Sequence, residues 1–365
     1  MDSSLQEHNK IMRSAAVFLI IAAIVAFLQY FRNFLQPFVV ALILWFLIVE
    51  VRRQLIRVKI KHKSLPKPIL TIISTVVVFY IFYVITDLIV ANFEKLAANA
   101  EDYSKSLVVI LEDIELLLGV QNLGETVQEQ QAAIVSGASV AAKAIASFIG
   151  RFFLVLFYVI FLLLEESALG AKVRKIYMRS GSRRSVRNSV ARIASLLSDY
   201  LGIKILTSFL TGFLSFFVLL FLGIDLPALW AFLIFILNFI PSIGSIVATA
   251  FPVIFTFLQY SGDWSKAFYV LIGVLAVQVL IGNIVEPRIM GNKLNLSPLV
   301  VILGLAFWGF VWGFVGMLLS VPIMATLMII FSQFKDTRNA AILLSKDGEI
   351  DYLFDDETAE EAKLA

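Results

Sequence analysis

Long unbroken apolar runs are the strongest constraint on this chain. Residues 14–31 read "SAAVFLIIAAIVAFLQYF" and residues 35–51 read "LQPFVVALILWFLIVEV". A helix needs about 20 apolar residues to cross a hydrocarbon core of about 30 Å. Within lipid no water satisfies the backbone, so spanning segments are helices or closed barrels. The reading is an all-α integral membrane protein of about eight transmembrane segments. Composition agrees: 60% of residues are hydrophobic and 16% charged, against about 45–50% and about 25% in soluble domains.

The net charge of +3 is too small for a nucleic-acid partner; the expected surroundings are a lipid bilayer. Cysteine is absent, which removes disulfides and thiolate metal sites. The two histidines, His8 and His62, lie in charged segments outside the spans and read as solvated residues. No metal or cofactor is expected. Thirteen residues precede the first apolar run, and that run lacks a small-residue cleavage site, so it reads as a retained anchor.

Charge gives orientation. Residues 52–67, "RRQLIRVKIKHKSLPK", carry seven Lys/Arg and no acid, and the positive-inside rule makes this loop, and hence the N-terminus, cytoplasmic. Residues 1–91 form an N-terminal segment with three spans, the third at about 69–91. Residues 92–147 carry eight acids against three lysines; with apolar residues at helical spacing in "LVVILEDIELLL" (107–118), they read as an external helical segment. The Ala/Ser/Gly run 134–150, whose small residues favour close helix approach, leads into a fourth span at about 148–164. Residues 148–204 combine that span with a second basic, cytoplasmic loop. There Val190, Ile193, Leu197, Tyr200 and Leu201 share one helical face, as an interfacial amphipathic helix would. Pro37 is expected in the first turn of the second span, where its missing N–H is harmless.

A fifth span (about 205–222) and the turn "GIDLP" open a C-terminal core, 205–334. Two tracts in it, 228–258 and 299–331, hold 31 and 33 residues with almost no charge, too many for one crossing. Each contains breakers: Pro241, Gly244 and Pro252 in the first, Gly309, Gly313, Gly316 and Pro322 in the second. Each is either a kinked span or a broken, re-entrant helical hairpin. An ordinary span, 267–285, lies between them. If both tracts cross, the loop 286–298 is external; if both are hairpins it is cytoplasmic. The acidic tail 335–365 is expected to be disordered and cytoplasmic.

No nucleotide-binding GxxxxGK[ST] and no HExxH occurs, so no enzyme is expected. Glu165 and Glu166 read as a solvated helix end. The informative polar residues lie late in the chain. "LNFIPSIGSIVATAFP" places Asn238, Ser242, Ser245 and Thr249 around Pro241 and Gly244. Pro241 cannot donate a backbone hydrogen bond and displaces a carbonyl near Leu237, and broken helices of this kind hold solutes and ions in transporters. Gln278, Asn283 and Glu286 fall roughly on one face of the following span, where amides suit a small polyol or hydrated ion. Inter-helix hydrogen bonding accounts for them equally well. Glu286 and Arg288 are read as a mutual ion pair or gate.

The stretches "NFIPSIGSIVATAFPVIF" and "NIVEPRIMGNKLNLSPLVVILGLAFWGFVWGFVGMLLSVPIMA" resemble the autoinducer-2 exporter family. Asn238-Phe239-Ile240-Pro241, Gly244, Pro287-Arg288-Ile289-Met290-Gly291, Leu296, Pro298 and "GMLLSVP" ending at Pro322 carry the resemblance. It implies a multi-pass protein of the bacterial inner membrane, homo-oligomeric, with a pentamer as one implied assembly. It implies secondary transport without ATP hydrolysis, the cargo being a small polar solute such as the quorum-sensing signal autoinducer-2. The alternatives are Na⁺/H⁺ exchange and a non-transport membrane scaffold. On this reading Asn238, Pro241, Ser242, Gly244, Ser245, Thr249, Gln278, Asn283 and Glu286 line a substrate or ion pathway. Pro287, Arg288, Gly291, Pro298, Gly316 and Pro322 act as hinge or gate.

Overall fold

The computed structural model describes residues 2–57, 66–118, 152–166, 168, 171–172, 183–291 and 295–350. Expectations placed on 119–147, on most of the basic loop 52–67, on Lys293 and on the tail 351–365 lie outside the described residues. The described residues are helical throughout except for turns, links and one isolated β-bridge. In chain order the helices are α1 (Asp2–Tyr30), α2 (Arg32–Arg57), α3 (Lys67–Ala98), α4 (Ala100–Leu118), α5 (152–166), α6 (Arg183–Phe221), α7 (Pro227–Leu237), α8 (Ile243–Gln259) and α9 (Trp264–Gln278). A π-helical segment, Val279–Val285, joins α9 to α10 (Glu286–Met290). The last two are α11 (Pro298–Ser332) and α12 (Arg338–Leu344). Among the described residues, five segments are by length and composition long and apolar enough to cross a membrane: Arg32–Ile56, Lys67–Ala98, Arg192–Phe221, Trp264–Met290 and Pro298–Ser332, the last of them broken at Gly313. Shorter apolar helices are Ala15–Tyr30, Pro227–Leu237 and Ile243–Gln259.

The tract 228–258 is a helical hairpin. Its two ends meet: Gly223 O accepts from Gln259 Nε2 (3.1 Å) and from Tyr260 Oη (2.9 Å), and Asp225 N donates to Gln259 Oε1 (2.8 Å). Trp230 and Phe255 pack ring against tilted ring between the arms, with centroids 4.8 Å apart. At the tip the arms touch backbone to side: a Cβ on Gly244 would sit 1.9 Å from Leu237 O. Only glycine permits that approach.

The tract 299–331 folds back too. Gly313 (φ 60°, ψ −139°) leaves the helical region and splits α11 into two arms. Cβ atoms on Gly304, Gly309 and Gly316 would fall 2.8 Å from Met324, 3.0 Å from Met317 and 1.9 Å from Trp308 O. Those pairings are symmetric about the bend, as a hairpin requires. The tip is fastened to the N-terminal helices: Gln36 Nε2 donates to Trp312 O (2.6 Å), and Trp312 Nε1 donates to Leu28 O (3.1 Å).

The hairpins enter from opposite ends of α6. The base of the α7–α8 hairpin adjoins the α6 C-terminus through Gly223 and Asp225. The base of the α11 hairpin adjoins the α6 N-terminal half, where Leu196 and Tyr200 form a buried cluster with Leu296, Val321, Ala325, Met328 and Ile329. The amphipathic stretch expected at the membrane interface is therefore one continuous helix with the fifth span, and Tyr200 on its apolar face is covered by protein.

α6 and α9 run antiparallel. A Cβ on Gly273 would meet Val218 at 2.6 Å, and Lys204 meets Glu286. Consequently the loop after Glu286 lies at the basic end of α6, the placement that follows from two hairpins. Asp263 caps α9 by accepting from Ser265 N (2.8 Å) and Lys266 N (3.3 Å). α4 docks at the opposite end, where Tyr103 packs on Phe255 at 5.0 Å and bonds Asp225 (3.2 Å). Burial, reinforced by the Asp225 charge, pushes the Tyr103 phenol up to about 12.

Three local expectations change. α2 begins at Arg32, so Pro37 stands inside the helix and removes a bond to the Asn33 carbonyl. Glu166 is not merely solvated: it forms a two-pronged pair with buried Arg52 (2.6 and 2.9 Å) and reaches Lys67 (3.2 Å). Those bonds hold its carboxyl below the usual range. Residues 335–350 are ordered: a short 3₁₀ turn and α12 lead to a strap over residues 295–297. Lys346 N donates to Asn295 O (2.9 Å), Ser297 N to Leu344 O (3.0 Å), and Asn295 Nδ2 to Asp347 Oδ1 (2.7 Å) and Glu349 O (3.1 Å). Ile350 is buried in the cluster beneath the strap.

Candidate functional site

A cavity of about 780 Å³ lies between the tip and α8 arm of the first hairpin, the α9–π–α10 helix and the basic half of α6. Its polar lining comprises Tyr200, Lys204, Asn238, Ser242, Ser245, Thr249, Gln278, Asn283 and Glu286. Eight of the nine residues expected along a pathway line it: Asn238, Pro241, Ser242, Ser245, Thr249, Gln278, Asn283 and Glu286. Gly244, the ninth, stands behind the wall and sets the closeness of the hairpin arms.

The tip is strained. Ser242 has φ 59° and ψ −59°, and Ile243 N donates to Pro241 O at 2.6 Å, closing a γ-turn of the rare positive-φ kind. Such backbone costs on the order of 1–3 kcal/mol and persists only where its surroundings hold it. Asn238 supplies part of that hold, with Nδ2 donating to Ser208 Oγ on α6 (3.1 Å). The Leu237 carbonyl is not left free by Pro241: it accepts from Ile240 N at 2.9 Å.

The polar wall of α8 is tied to α9. Gln278 Nε2 donates to Ser245 O and to Thr249 Oγ1, both at 3.0 Å, while Thr249 Oγ1 donates back to Ser245 O at 2.9 Å. These bonds engage the amide nitrogen of Gln278. Thr249 and Gln278 are 7% exposed, Asn238 8%. Immediately after Gln278 the helix widens into a π turn. Such turns interrupt the i→i−4 ladder and recur at functional sites; here it turns Asn283 toward the same cavity.

At the basic end the cavity meets an ion pair. Lys204 Nζ lies 2.7 and 3.0 Å from the Glu286 carboxylate oxygens, and Thr207 Oγ1 donates to Glu286 Oε2 at 3.2 Å. The side chains are 8% and 17% exposed. The expected Glu286–Arg288 pair is thus replaced by Glu286–Lys204, because Arg288 projects outward from α10 and is exposed.

Lys204, Tyr200, Thr207 and Ser208 were not expected in the site. Lys204 counts naturally with the basic loop that orients the chain. A signal was present: "IKILTSFLTGFLS" puts Lys204, Thr207, Ser208, Thr211 and Ser215 at spacings of three and four. Thr207, Ser208, Thr211 and Ser215 are all 0–1% exposed, a buried polar stripe facing the first hairpin. The proposed hinge residues are dispersed. Pro287, Arg288 and Pro298 flank the loop at the basic end. Gly291 closes α10 at φ 56°. Gly316 sits by the second tip, and Pro322 lines a separate apolar crevice.

The cavity therefore sets amides, hydroxyls and one internally balanced ion pair among apolar side chains such as Ile246, Val253, Ile254, Leu271 and Leu275. A putative transport protein of Haemophilus influenzae is 32% identical over 94% of this chain and 98% of its own length. The AI-2 transport protein TqsA of Escherichia coli K12 is 31% identical over 87% of this chain and 91% of its own. The putative transport protein YhhT of the same strain is 28% identical over 78% and 81%. Residues 16–336 match the family described as AI-2E family transporters, and the chain belongs to that family of membrane transport proteins.

Proposed function

We propose that this protein is a secondary transporter that moves a small polar solute through the α7–α8/α9 cavity by alternating access, without ATP. The observation that carries the reading is the convergence of Asn238, Ser245, Thr249, Gln278 and Asn283 on one cavity beside a strained hairpin tip. Export of a hydroxyl-rich signal of the autoinducer-2 kind fits this lining, since each amide offers both donor and acceptor.

The moving unit is the first hairpin with α9, working against α6; the second hairpin, pinned at its tip by Gln36 and Leu28, belongs with the N-terminal helices. Opening at the basic end requires the Lys204–Glu286 pair and the cluster around Tyr200 and Leu296 to separate. The positive-inside rule places that end, the loop 286–298 and the C-terminus in the cytoplasm. The buried Lys204–Glu286 pair also favours coupling to a cation, Na⁺ or H⁺, that competes for Glu286 as the pair opens.

Flux of candidate solutes into proteoliposomes tests the site. Asn238→Ala, Gln278→Ala and Asn283→Ala are expected to lower transport; wild-type rates in all three would remove the assignment. Orientation is tested separately in this cysteine-free chain. Arg288→Cys should be labelled by a membrane-impermeant maleimide only from the cytoplasmic side, and Asp263→Cys only from outside.

A further inference from the structure

The strap that follows α12 packs behind the basic end of the polar cavity. Tyr200, Met290, Val301 and Val321 line the cavity there. The same four residues sit in, or pack against, the buried cluster that holds Leu296, Ala341 and Ile350. Leu296 therefore backs the cavity wall, and the strap holds Leu296.

That hold rests on few contacts. Leu296 pairs with Ser345 in the isolated antiparallel bridge, flanked by the Ser297–Leu344 and Lys346–Asn295 backbone bonds. Asn295, at φ 39°, grips Asp347 Oδ1 and Glu349 O through its amide nitrogen. Gly348, at φ 81°, turns the strap, and its N–H donates to Ser345 Oγ at 2.9 Å. The chain then returns inward to Ile350. Ser345 and Ile350 are buried, whereas residues 346–349 between them are exposed. Segments with few buried apolar contacts and solvent-facing hydrogen bonds are those that open locally at low cost. The neighbouring elements are held better. Thr337 Oγ1 ties the start of α12 to Phe331 O at 2.8 Å, and the tip of the second hairpin is fastened to Gln36 and Leu28. Release of the strap thus frees residues 295–297 without detaching α11.

We propose that the strap, residues 345–350, is a cytoplasmic latch on the solute cavity. Docked, it seats Leu296 behind Tyr200 and Val321 and keeps the basic end closed. Undocked, it lets Leu296 withdraw, so that Tyr200 and the Lys204–Glu286 pair one turn further along α6 can part. The latch rests on the alternating-access reading above and adds the element that sets its closed state. An element of this kind shifts a two-state equilibrium only by contacts that one state has and the other lacks. Here those contacts are the two Asn295 side-chain bonds, the paired backbone and the burial of Ile350.

Cysteine accessibility in the full-length, cysteine-free chain tests the latch without any solute. Ala250 lines the cavity on α8, and Ala250→Cys is a small change there. Its labelling by a membrane-impermeant maleimide is timed from each side, in inside-out and right-side-out vesicles. Asn295→Gly keeps φ 39° accessible and removes two hydrogen bonds, each worth about fivefold in an equilibrium constant. Labelling from the cytoplasmic side should rise about fivefold or more, while labelling from outside stays equal or falls. Ile350→Asp, which puts a charge into the cluster, should act in the same direction without touching Asn295. Unchanged cytoplasmic labelling in both variants would overturn the latch alone and leave the solute pathway standing. A rise from both sides alike would also overturn it, since general loosening gives that result. Labelling from neither side in any variant would overturn the latch and the solute pathway together.

Discussion

Removing one member of the Lys204–Glu286 pair should harm the protein more than removing both. The lysine is 8% and the glutamate 17% exposed, with N···O distances of 2.7 and 3.0 Å. At an effective dielectric of about 20, charges roughly 3 Å apart attract by about 5–6 kcal/mol. Most of that gain only offsets the desolvation of two charges. Lys204→Met keeps the desolvation of Glu286 and loses its partner, so about 3–5 kcal/mol of destabilisation is expected. Glu286→Gln should cost a similar amount by stranding Lys204, although Thr207 can still bond the amide. The double variant should recover most of the loss, giving a coupling energy of at least about 2 kcal/mol. Thermal unfolding of the four proteins in one detergent, followed by intrinsic fluorescence, measures this. Single variants within 1 kcal/mol of wild type, or strictly additive losses, would mean that the two side chains are solvated and unpaired, and the gate would have to be sought elsewhere. Transport adds a second readout: the double variant should regain stability without regaining ion coupling.

Other expectations follow from single contacts. Gly244→Ala places a Cβ 1.9 Å from Leu237 O, which forces the first hairpin apart; more than the usual 1–3 kcal/mol of overpacking and loss of flux are expected in melting and transport assays, whereas Gly202→Ala, with open space around its Cβ site, should be tolerated. Glu166 has its carboxyl pKa depressed by Arg52, so its contribution is present above the unfolded value of about 4.3 and fades as pH falls through the lower folded value. The stability gap between wild type and Glu166→Gln should be constant from pH 7 to 5 and shrink below about pH 4; a gap independent of pH would contradict the pairing. Asn295→Ala removes two hydrogen bonds from the strap, about 1–2 kcal/mol, and hydrogen exchange should rise at Lys346–Glu349 while α6 stays protected.

Breakers made part of this architecture legible. Pro241 and Gly244 mark one tip, and Gly313 with Gly316 marks the other, because glycine alone allows the close approaches at Gly244 and Gly316 and the backbone of Gly313. Whether the tracts returned was not legible, since that depends on contacts between residues far apart in sequence, such as Gly223 with Tyr260 and Gln36 with Trp312. The polar wall was readable at Asn238, Thr249 and Gln278, where amides and hydroxyls are conspicuous among apolar neighbours. Lys204 was obscured because a lysine one turn inside an apolar run looks like the edge of a basic loop. The π turn at Val279–Val285 has no compositional mark. The strap was missed because acidity of the final residues was extended to the whole tail, although "RNAAILL" has the apolar content of a docking helix.

The shallow reach of the first hairpin has a consequence for how the protein is made. Its arms of 11 and 17 residues are about 16 and 25 Å long, and its turn carries an amide and irregular backbone to a depth where lipid offers no hydrogen bonds. Asn238 Nδ2 bonds Ser208 on α6, while the Ser245 carbonyl and Thr249 Oγ1 gain the Gln278 amide only from α9. The polar wall beside the turn is therefore complete only once residue 278 has been synthesised and α9 has come alongside. Completion of this cavity is thus expected late in synthesis, when the membrane-embedded hairpin meets the helix that follows it.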